Sequence, residues 1–265
     1  MLLAVDVGNT QTDVGLHDGG RWAHRFRLST HRDRTPDEYS VLLRALLQQA
    51  GVSLGTIAAA AMASVVPPLT TLLREMFTDL LGFAPLVVEP GVRTGMPVHY
   101  ESPRDVGADR IVNGVAAYER FRGAPDGPSG VLVVDFGTAI TLDVISPRGE
   151  YLGGAIAPGV AISTEALFTR ASKLPRVELV APAVAIGRST VQSMQSGIVY
   201  GYAALVDGVV GRMLAELDFV PRVIATGAHA ALVGGLCEAV HAVDDLLTLE
   251  GLRLIHGRNA HGGGR

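Results

Sequence analysis

Two segments of the chain, separated by 129 positions, carry the same pattern. Each is an apolar run that ends in an Asp, followed by one residue, a Gly and small hydroxyl or amide residues. They are residues 3–10, LAVDVGNT, and residues 132–139, LVVDFGTA; at the same offset Thr12 falls on Thr141. Repetition at a fixed separation is typical of an internal duplication. We therefore predict two halves of similar structure.

The residues after each glycine predict a hairpin. Phosphate-binding and dinucleotide-binding loops lead from a strand into a helix, whereas here each turn leads into a second β-rich run, at 12–17 and 141–146. A tip with Asp, Gly and Thr can direct backbone N–H groups and hydroxyls at phosphate oxygens, while its carboxylate holds a hydrated cation. Either tip alone also fits an ordinary turn. The presence of both favours two tips that bind a polyphosphate.

Composition and charge exclude several classes of function. With 265 residues, of which 48% are apolar and 18% charged, the chain is long enough for two globular domains of medium size. Its formal net charge of −4 predicts no binding to nucleic acid or to an anionic membrane. Cys237 is the only cysteine, so neither an intramolecular disulfide nor a cysteine-based zinc site is possible. We predict that Cys237 is a small buried apolar residue.

The sequence pattern predicts a cytoplasmic protein. The longest apolar stretch, 196–217, contains Asp207, Arg212 and several glycines, which argues against a membrane span. The N-terminus enters a strand without a basic segment or cleavage site, so no secretory signal is expected.

Hydrophobic periodicity predicts amphipathic helices at 36–49 and 68–81. Residues 57–66 between them fit a buried strand, although their alanines also suit a helix. A later strand at 222–227 is predicted to lead into a helix that starts near His229. The Gly- and Pro-rich residues 123–130 predict the boundary between the two halves.

The two hairpins, with the later strand that ends in Thr226 and Gly227, resemble the superfamily of sugar and acetate kinases, actin and heat-shock chaperones. The resemblance implies an α/β fold of two duplicated ribonuclease-H-like domains, an actin-like ATPase fold, with an ATP cleft between them. A fold alone leaves the reaction open.

Five motifs resemble a narrower family, the type III pantothenate kinases. The strongest is YESPRDVGADRIVN at 100–113; the others are SVVPP at 64–68, GGAIAPG at 153–159, KLP at 173–175 and SMQSG at 193–197. They cover nearly the whole chain in the family's order. The resemblance implies ATP-dependent phosphorylation of pantothenate to 4′-phosphopantothenate, the first step of coenzyme A biosynthesis.

The same resemblance implies a role for each matching residue. Asp109 is the proton acceptor, Asp6 the partner of hydrated Mg²⁺, and Asp135 the ligand of a monovalent cation, K⁺ or NH₄⁺. The ATP-binding residues are Asp6, Val7, Gly8, Asn9, Thr10, Gln11, Thr12, Asp13, Gly137, Thr138 and Gly227. The pantothenate-binding residues are Tyr100, Gly107, Ala108, Asp109, Arg110 and Thr190.

The resemblance also implies the organisation of the chain. The first domain, 1–123, carries the first tip and Asp109. The second domain, 124–265, carries the second tip, the adenosine motif at Gly227 and a Gly- and Ala-rich helix at 197–211 that mediates a homodimer.

Simpler interpretations of these residues stay open. Asp109 and Arg110 also fit a surface pair that caps the following helix, and Asp135 also fits a carboxylate satisfied by nearby N–H groups. Tyr100 fits an ordinary surface aromatic residue, and Thr190 fits a helix cap. The helix at 197–211 fits packing inside the monomer.

Two positions depart from the family's pattern. Asp13 stands where some relatives carry a cationic or neutral residue, and its carboxylate repels ATP phosphates if it faces them; alternation along the hairpin predicts that it faces away. Ala228 stands where many relatives have a second glycine, so its methyl group either crowds the adenine or only adjusts the loop. Both departures concern nucleotide affinity more than the type of reaction.

Two other classes of function compete with the kinase. One is a non-catalytic regulator on the same fold. Two observations argue against it: the acidic net charge, and the presence of Asp6, Asp109, Arg110 and Asp135. The other is a kinase for a different polyol or a polyphosphate hydrolase; the hydrolase would release phosphate without pantothenate.

Overall fold

The computed structural model describes residues 1–123 and 130–260, and the chain divides into two compact units. The first unit contains residues 1–96, 101–116 and 248–260. The second contains residues 97–100 and the described part of 117–247. Most of the predicted boundary segment lies outside the described residues, so the division into domains 1–123 and 124–265 stays a prediction.

Each unit is built on a five-stranded mixed sheet. The first sheet consists of β1 (Leu2–Val7), β2 (Gln11–His17), β3 (Trp22–Ser29), β4 (Ala59–Ser64) and β5 (Leu86–Val87). The second consists of β6 (Gly130–Phe136), β7 (Ala139–Ile145), β8 (Tyr151–Pro158), β9 (Pro221–Thr226) and β10 (Ala242–Val243). The spatial orders β3-β2-β1-β4-β5 and β8-β7-β6-β9-β10 are equivalent, with the same parallel and antiparallel pairings. The predicted duplication and both hairpins are confirmed.

The repeat holds up to the tips and shifts by one residue after them. In the first hairpin, residues 8–11 separate the paired Val7 and Thr12. In the second, residues 137–139 separate the paired Phe136 and Ile140. Thr12 therefore corresponds in position to Ile140, and its match with Thr141 is wrong by one residue because the first tip is one residue longer.

The helices of the described chain begin where local chemistry favours them. They are α1 (Pro36–Gln49), α2 (Pro67–Leu81), α3 (Ala108–Phe121), α4 (Val160–Arg170), α5 (Thr190–Leu214) and α6 (Leu247–Ala260). Before α1, the Thr35 hydroxyl accepts from the Glu38 N–H at 3.3 Å while the Glu38 carboxylate accepts from the Thr35 N–H at 2.7 Å. This reciprocal capping box satisfies two backbone donors at the helix start. The predicted helices at 36–49 and 68–81 are confirmed, and the strand predicted at 57–66 is β4.

The helix predicted near His229 is wrong. Residues 228–233 form turns, and only a short 3₁₀ segment, Gly234–Leu236, follows. Glycine in a helix interior costs about 1 kcal/mol relative to alanine, and the predicted helix would contain the adjacent Gly234 and Gly235. The alanines that suggested a helix do not compensate for them.

Each sheet has its own hydrophobic core. The first core joins the strands to α1 and α2 through buried residues that include Leu3, Leu16, Leu43, Leu69 and Phe77. The second joins β6, β7 and β9 to α5 through residues that include Leu132, Phe136, Leu142, Val206 and Val223. Cys237 belongs to the second core, where burial raises the pKa of its thiol to about 12. The prediction of a buried apolar cysteine is confirmed.

Helix α5 is the one helix of the described residues that is long and apolar enough to cross a membrane. Its Val199, Val206 and Val210 are fully buried within the second unit. Its Asp207 carboxylate accepts from the N–H groups of Glu238 at 3.0 Å and Ala239 at 2.9 Å. One face of α5 thus packs inside the second unit, while 28% of its apolar window is buried in all.

Helix α3, which carries Asp109 and Arg110, packs against α6 within the first unit. The Thr248 hydroxyl donates to the Asn113 side-chain oxygen at 2.7 Å, and Asn113 is 1% exposed. A Cβ built on Gly251 would overlap the carbonyl oxygen of Val112. The close contact between the two helices therefore requires glycine at position 251.

We predict that Gly251→Ala lowers the free energy of unfolding by about 1–3 kcal/mol, because the added methyl group overpacks a backbone contact. The control is Gly257→Ala in the same helix, where a built Cβ meets nothing within 4 Å. This control is expected to be neutral or to stabilise by up to about 1 kcal/mol through helix propensity. Urea unfolding of both variants measures the difference, and equal effects would contradict the packing argument.

Candidate functional site

The first tip, residues 8–11, projects from the end of the central strand of the first sheet. The Gly8 N–H donates to the Gln11 carbonyl at 2.9 Å, and a Cβ on Gly8 would lie 2.9 Å from the same oxygen. Asn9 and Thr10 are exposed, while Asp6 at the strand end is partly buried. The hairpin thus brings the predicted residues 6–13 together, with exposed amide and hydroxyl groups at its tip.

Arg32, which the sequence interpretation missed, contacts the first tip. Its Nη2 donates to Asn9 Oδ1 at 2.7 Å. The chain after β3 is held over the tip because the Thr30 N–H donates to the Thr10 carbonyl at 2.9 Å and the Thr30 and Thr12 hydroxyls are 2.8 Å apart. A guanidinium at this position suits phosphate oxygens. The sequence has several arginines nearby, and only the folded structure shows that Arg32 contacts Asn9.

Asp13 is paired with two arginines of the neighbouring strand. Its Oδ1 lies 3.1 Å from Arg25 Nη2 and 3.1 Å from Arg27 Nε. Arg27 is directly opposite Asp13 in the register of β2 with β3. The two guanidinium groups offset the carboxylate charge, which removes the main reason to expect that this departure weakens phosphate binding.

Asp109 lies at the same edge of the first sheet as the first tip. A Cβ on Gly107 would be 2.5 Å from Asp109 Oδ1 and 3.6 Å from Val65 Cγ1. The Val65 N–H donates to the carbonyl of Val7, the last residue of β1, at 3.1 Å. The structure therefore brings the Gly107–Asp109 turn close to the ends of β1 and β4.

Arg110 follows Asp109 in the first turn of α3. It is only 6% exposed, so the two residues are not an exposed surface pair, while their roles in the reaction stay a prediction. Asp109 Oδ1 accepts from the Arg110 N–H at 2.8 Å and thereby satisfies a donor of the first helical turn. Helix α3 begins at Ala108, so Asp109 lies inside the first turn rather than before it.

In the second unit, the second tip and the third motif are in contact. Strands β6 and β9 are parallel, with Asp135 opposite Thr226. Gly227, at φ +94°, has no room for a side chain, because a built Cβ would overlap Asp135 Oδ1 and lie 2.8 Å from the backbone of Phe136. Asp135 Oδ1 is also 3.6 Å from a Cβ built on Gly137. Asp135, Gly137 and Gly227 thus form one cluster at the sheet edge.

Two neighbours complete this cluster. Gly159, before α4, lies close to the carbonyl oxygens of Gly137 and Thr138. A Cβ on Gly159 would be 2.7 Å from the Gly137 oxygen and would overlap the Thr138 oxygen. The His229 N–H donates to the Phe136 carbonyl at 3.4 Å, and burial lowers the pKa of the His229 imidazole, which favours its neutral form at neutral pH. Ala228, the second departure, is exposed.

The remaining predicted residues of the second unit lie elsewhere. Tyr100 is 40% exposed and contacts the Tyr151 ring edge-on, at a centroid distance of 6.3 Å. Thr190 is the first residue of α5, and the cap is the preceding Ser189, whose hydroxyl accepts from the Gln192 N–H at 3.2 Å. Thr190 lines a cavity of about 480 Å³ between α4 and α5, and Thr164, Met194 and Tyr202 also line it.

No group of three or more His, Cys, Asp or Glu within 1–123 and 130–260 is arranged to hold a metal ion. Mg²⁺ commonly binds through one or two carboxylates and keeps several waters, so this finding does not bear on Asp6 or Asp135 as ligands.

Comparison with protein families and relatives gives a consistent result. A family model described as type III pantothenate kinase matches residues 2–212. A type III pantothenate kinase of Anaeromyxobacter sp. (strain Fw109-5) is 54% identical over 259 residues, covering 98% of this chain and 100% of the relative. One of Myxococcus xanthus (strain DK1622) is also 54% identical over 259 residues, covering 98% of this chain and 99% of the relative.

Solved structures are similar in fold at low sequence identity. A protein of Campylobacter jejuni described as a Baf family transcriptional activator has a TM-score of 0.59 at 21% identity, covering 98% of this chain and 99% of that one. The inorganic polyphosphate/ATP-glucomannokinase of Arthrobacter sp. strain KM has a TM-score of 0.52 at 14% identity, covering 98% of each chain. The ROK hexokinase of Thermus thermophilus has a TM-score of 0.51 at 14% identity, covering 96% of this chain and 97% of that one. The duplicated actin-like ATPase fold is confirmed.

Proposed function

Because this chain belongs to the type III pantothenate kinase family and transfers phosphate from ATP to pantothenate in coenzyme A biosynthesis, we propose that Asp109 is the base of the reaction. The observation that carries the proposal is the position of Asp109 at the sheet edge where β1 and the first tip meet. As the pantothenate hydroxyl oxygen bonds to the γ-phosphorus, its proton passes to the Asp109 carboxylate. The bond from the γ-phosphorus to the bridging oxygen breaks and releases ADP.

The proposed role of Arg110 is to bind the carboxylate of pantothenate. A guanidinium matches a carboxylate with two parallel hydrogen bonds, and the 6% exposure of Arg110 reduces competition from water. Gly107 supports the same site, because a side chain there would meet the Asp109 carboxylate at 2.5 Å. Ala108, Tyr100 and Thr190 are proposed as further contacts with pantothenate, on the family's motif.

The proposed phosphate-binding groups belong to both hairpins. In the first unit they are residues 6–13, with Arg32 added because its guanidinium contacts Asn9 at the tip. In the second unit they are Gly137 and Thr138, and Gly227 is proposed to contact the nucleotide. Phosphoryl transfer needs mainly positioning and charge neutralisation from the protein, and glycines allow backbone N–H groups to approach phosphate oxygens closely.

The single carboxylates at the two strand ends suit the two cations that the resemblance implies. Asp6 is proposed to hold hydrated Mg²⁺, which when bound to ATP neutralises charge on the β- and γ-phosphates. Asp135 is proposed to hold K⁺ or NH₄⁺: its carboxylate adjoins Gly227, and the carbonyls of Gly137 and Thr138 face the nearby Gly159. Carboxylate and carbonyl oxygens are the ligands that such hard cations take.

A homodimer through α5 is proposed for the assembled enzyme. One face of α5 is a stripe of exposed small residues, Gly197, Gly201, Ala204, Gly208 and Gly211. A Cβ built on any of these four glycines meets nothing within 4 Å, so this face is open to a second helix. Small residues let two helix backbones approach closely.

A cytoplasmic location is proposed for the same enzyme, since its substrates are those of coenzyme A biosynthesis.

The first test is ADP formation by the purified protein with Mg²⁺ and K⁺, with and without pantothenate, and identification of 4′-phosphopantothenate by mass.

We predict that Asp109→Asn lowers kcat by about 100-fold or more, because a general base contributes about 10²–10⁴ in rate. ADP affinity, measured by calorimetry, should stay within about twofold. The control is Asp105→Asn, an exposed carboxylate four residues earlier, which should keep wild-type turnover. Normal turnover of Asp109→Asn would remove it from the role of base.

We predict that replacing K⁺ by Na⁺ lowers turnover by about fivefold or more, equivalent to about 1 kcal/mol. The physical reason is that the Asp135 cluster is proposed to fit a larger, weakly hydrated cation. In Asp135→Asn the difference between the two cations should largely disappear. Equal rates of desalted wild-type enzyme in the two salts would make Asp135 a structural carboxylate.

We predict that Gly201→Arg shifts the protein to a monomer, because a long charged side chain at the centre of the small-residue stripe prevents close helix contact. Gly235→Arg is the control, since Gly235 is also exposed with open space at its Cβ but lies outside α5. Sedimentation velocity gives the molar mass of both. A dimeric Gly201→Arg variant would exclude α5 as the interface.

A further inference from the structure

A carboxylate that phosphoryl transfer does not use is buried in the second sheet. Asp143, on β7, is 0% exposed. Its Oδ1 accepts from the Tyr151 hydroxyl at 2.7 Å, and its Oδ2 accepts from the Thr141 hydroxyl at 2.9 Å. Burial of a carboxylate is costly unless its oxygens receive hydrogen bonds. Asp143 therefore holds the Tyr151 side chain in one orientation.

Tyr151 in turn holds the segment that carries Tyr100. The Tyr151 N–H donates to the Pro97 carbonyl at 2.8 Å, and the His99 N–H donates to the Tyr151 carbonyl at 2.8 Å. These bonds align residues 97–99 parallel to the start of β8. Tyr100 is the next residue along the chain, so its backbone position depends on Tyr151.

The Tyr100 ring also rests on Tyr151. The two rings meet edge-to-face, with an interplanar angle of 64° and centroids 6.3 Å apart. Gly153, at φ +122°, lies below the Tyr100 ring, with a built Cβ 3.8 Å from its Cδ2 and Cε2 atoms. Tyr151 is fully buried, whereas Tyr100 keeps 40% of its surface exposed. One side of Tyr100 is thus supported and the rest is available to a ligand.

We propose that Tyr151, anchored by the buried carboxylate of Asp143, is a positioning residue that presents Tyr100 to pantothenate. The proposal rests on the proposed role of Tyr100 in pantothenate binding. Tyr151 itself is fully buried, so the proposed role acts through Tyr100. Its contribution is to keep Tyr100 ordered before the substrate arrives, which lowers the entropic cost of binding.

The central test is Tyr151→Phe, which keeps the ring and removes the hydroxyl that donates to Asp143. The KM for pantothenate should rise about fivefold to tenfold, while kcat and the KM for ATP stay within about twofold. The matched control is Thr141→Val, which removes the donor to the other oxygen of Asp143 but leaves Tyr151 in place. It should lower the melting temperature and leave the KM for pantothenate unchanged. Equal KM shifts in the two variants would overturn the proposal, because they would indicate a general structural effect.

A double-mutant comparison tests whether the effect acts through Tyr100. Tyr100→Ala should raise the KM for pantothenate, and adding Tyr151→Phe should raise it no further. An additional full-size effect of Tyr151→Phe in the Tyr100→Ala background would overturn the proposal. If Tyr151→Phe lacks a cooperative thermal transition, Asp143→Asn replaces it. The amide keeps the shape of the carboxylate but weakens the hydrogen bond from the Tyr151 hydroxyl. The same rise in the KM for pantothenate is expected, and its absence overturns the proposal.

The failure of this proposal and the failure of the proposed function give different results. A wild-type protein that forms ADP with pantothenate, together with a Tyr100→Ala variant of unchanged KM, refutes the proposed Tyr100 contact and the positioning role but leaves the kinase reaction standing. A folded wild-type protein that forms no ADP with pantothenate refutes the proposed function and removes the basis of the positioning role with it.

Discussion

The candidate site depends on the parallel pairing of the central strand with its neighbour in each sheet. Parallel strands end at the same edge, so the residues that follow them become neighbours. In the first unit this pairing brings the end of β1, with Asp6 and the first tip, next to Val65 and the Gly107–Asp109 turn. In the second unit the same pairing brings Asp135 against Gly227. The duplicated topology thus produces two carboxylate-bearing sheet edges from one arrangement of strands.

Close backbone approach is the second requirement, and glycine meets it. Side chains at Gly107, Gly159 and Gly227 would overlap or closely contact groups of the proposed site, including the carboxylates of Asp109 and Asp135. These glycines are therefore part of the site even though they carry no chemistry themselves. Tight packing around small residues also leaves little freedom for the carboxylates, which favours preorganisation for phosphoryl transfer.

Several carboxylates of the two units have identified hydrogen-bond partners. Asp13 is paired with Arg25 and Arg27 across the hairpin, and the guanidinium of Arg32 contacts Asn9 at the first tip. Asp143, which is fully buried, accepts from the hydroxyls of Thr141 and Tyr151. A buried carboxylate with hydroxyl partners is directional, and this property suits a role in orienting Tyr151.

Sequence pattern was sufficient for the features that depend on local chemistry or on repetition. The Asp-x-Gly repeats predicted both hairpins, periodicity predicted α1 and α2, and the Gly-Ala-Asp-Arg block indicated the family to which the chain belongs. Alternation along β2 could not identify the partners of Asp13, because they come from β3. The contacts of Arg32 with Asn9, of Gly227 with Asp135 and of Tyr151 with Asp143 join residues 8 to 92 positions apart. Strand register, the length of each tip and the space around each glycine decide these contacts, and all three arise only when the sheets assemble.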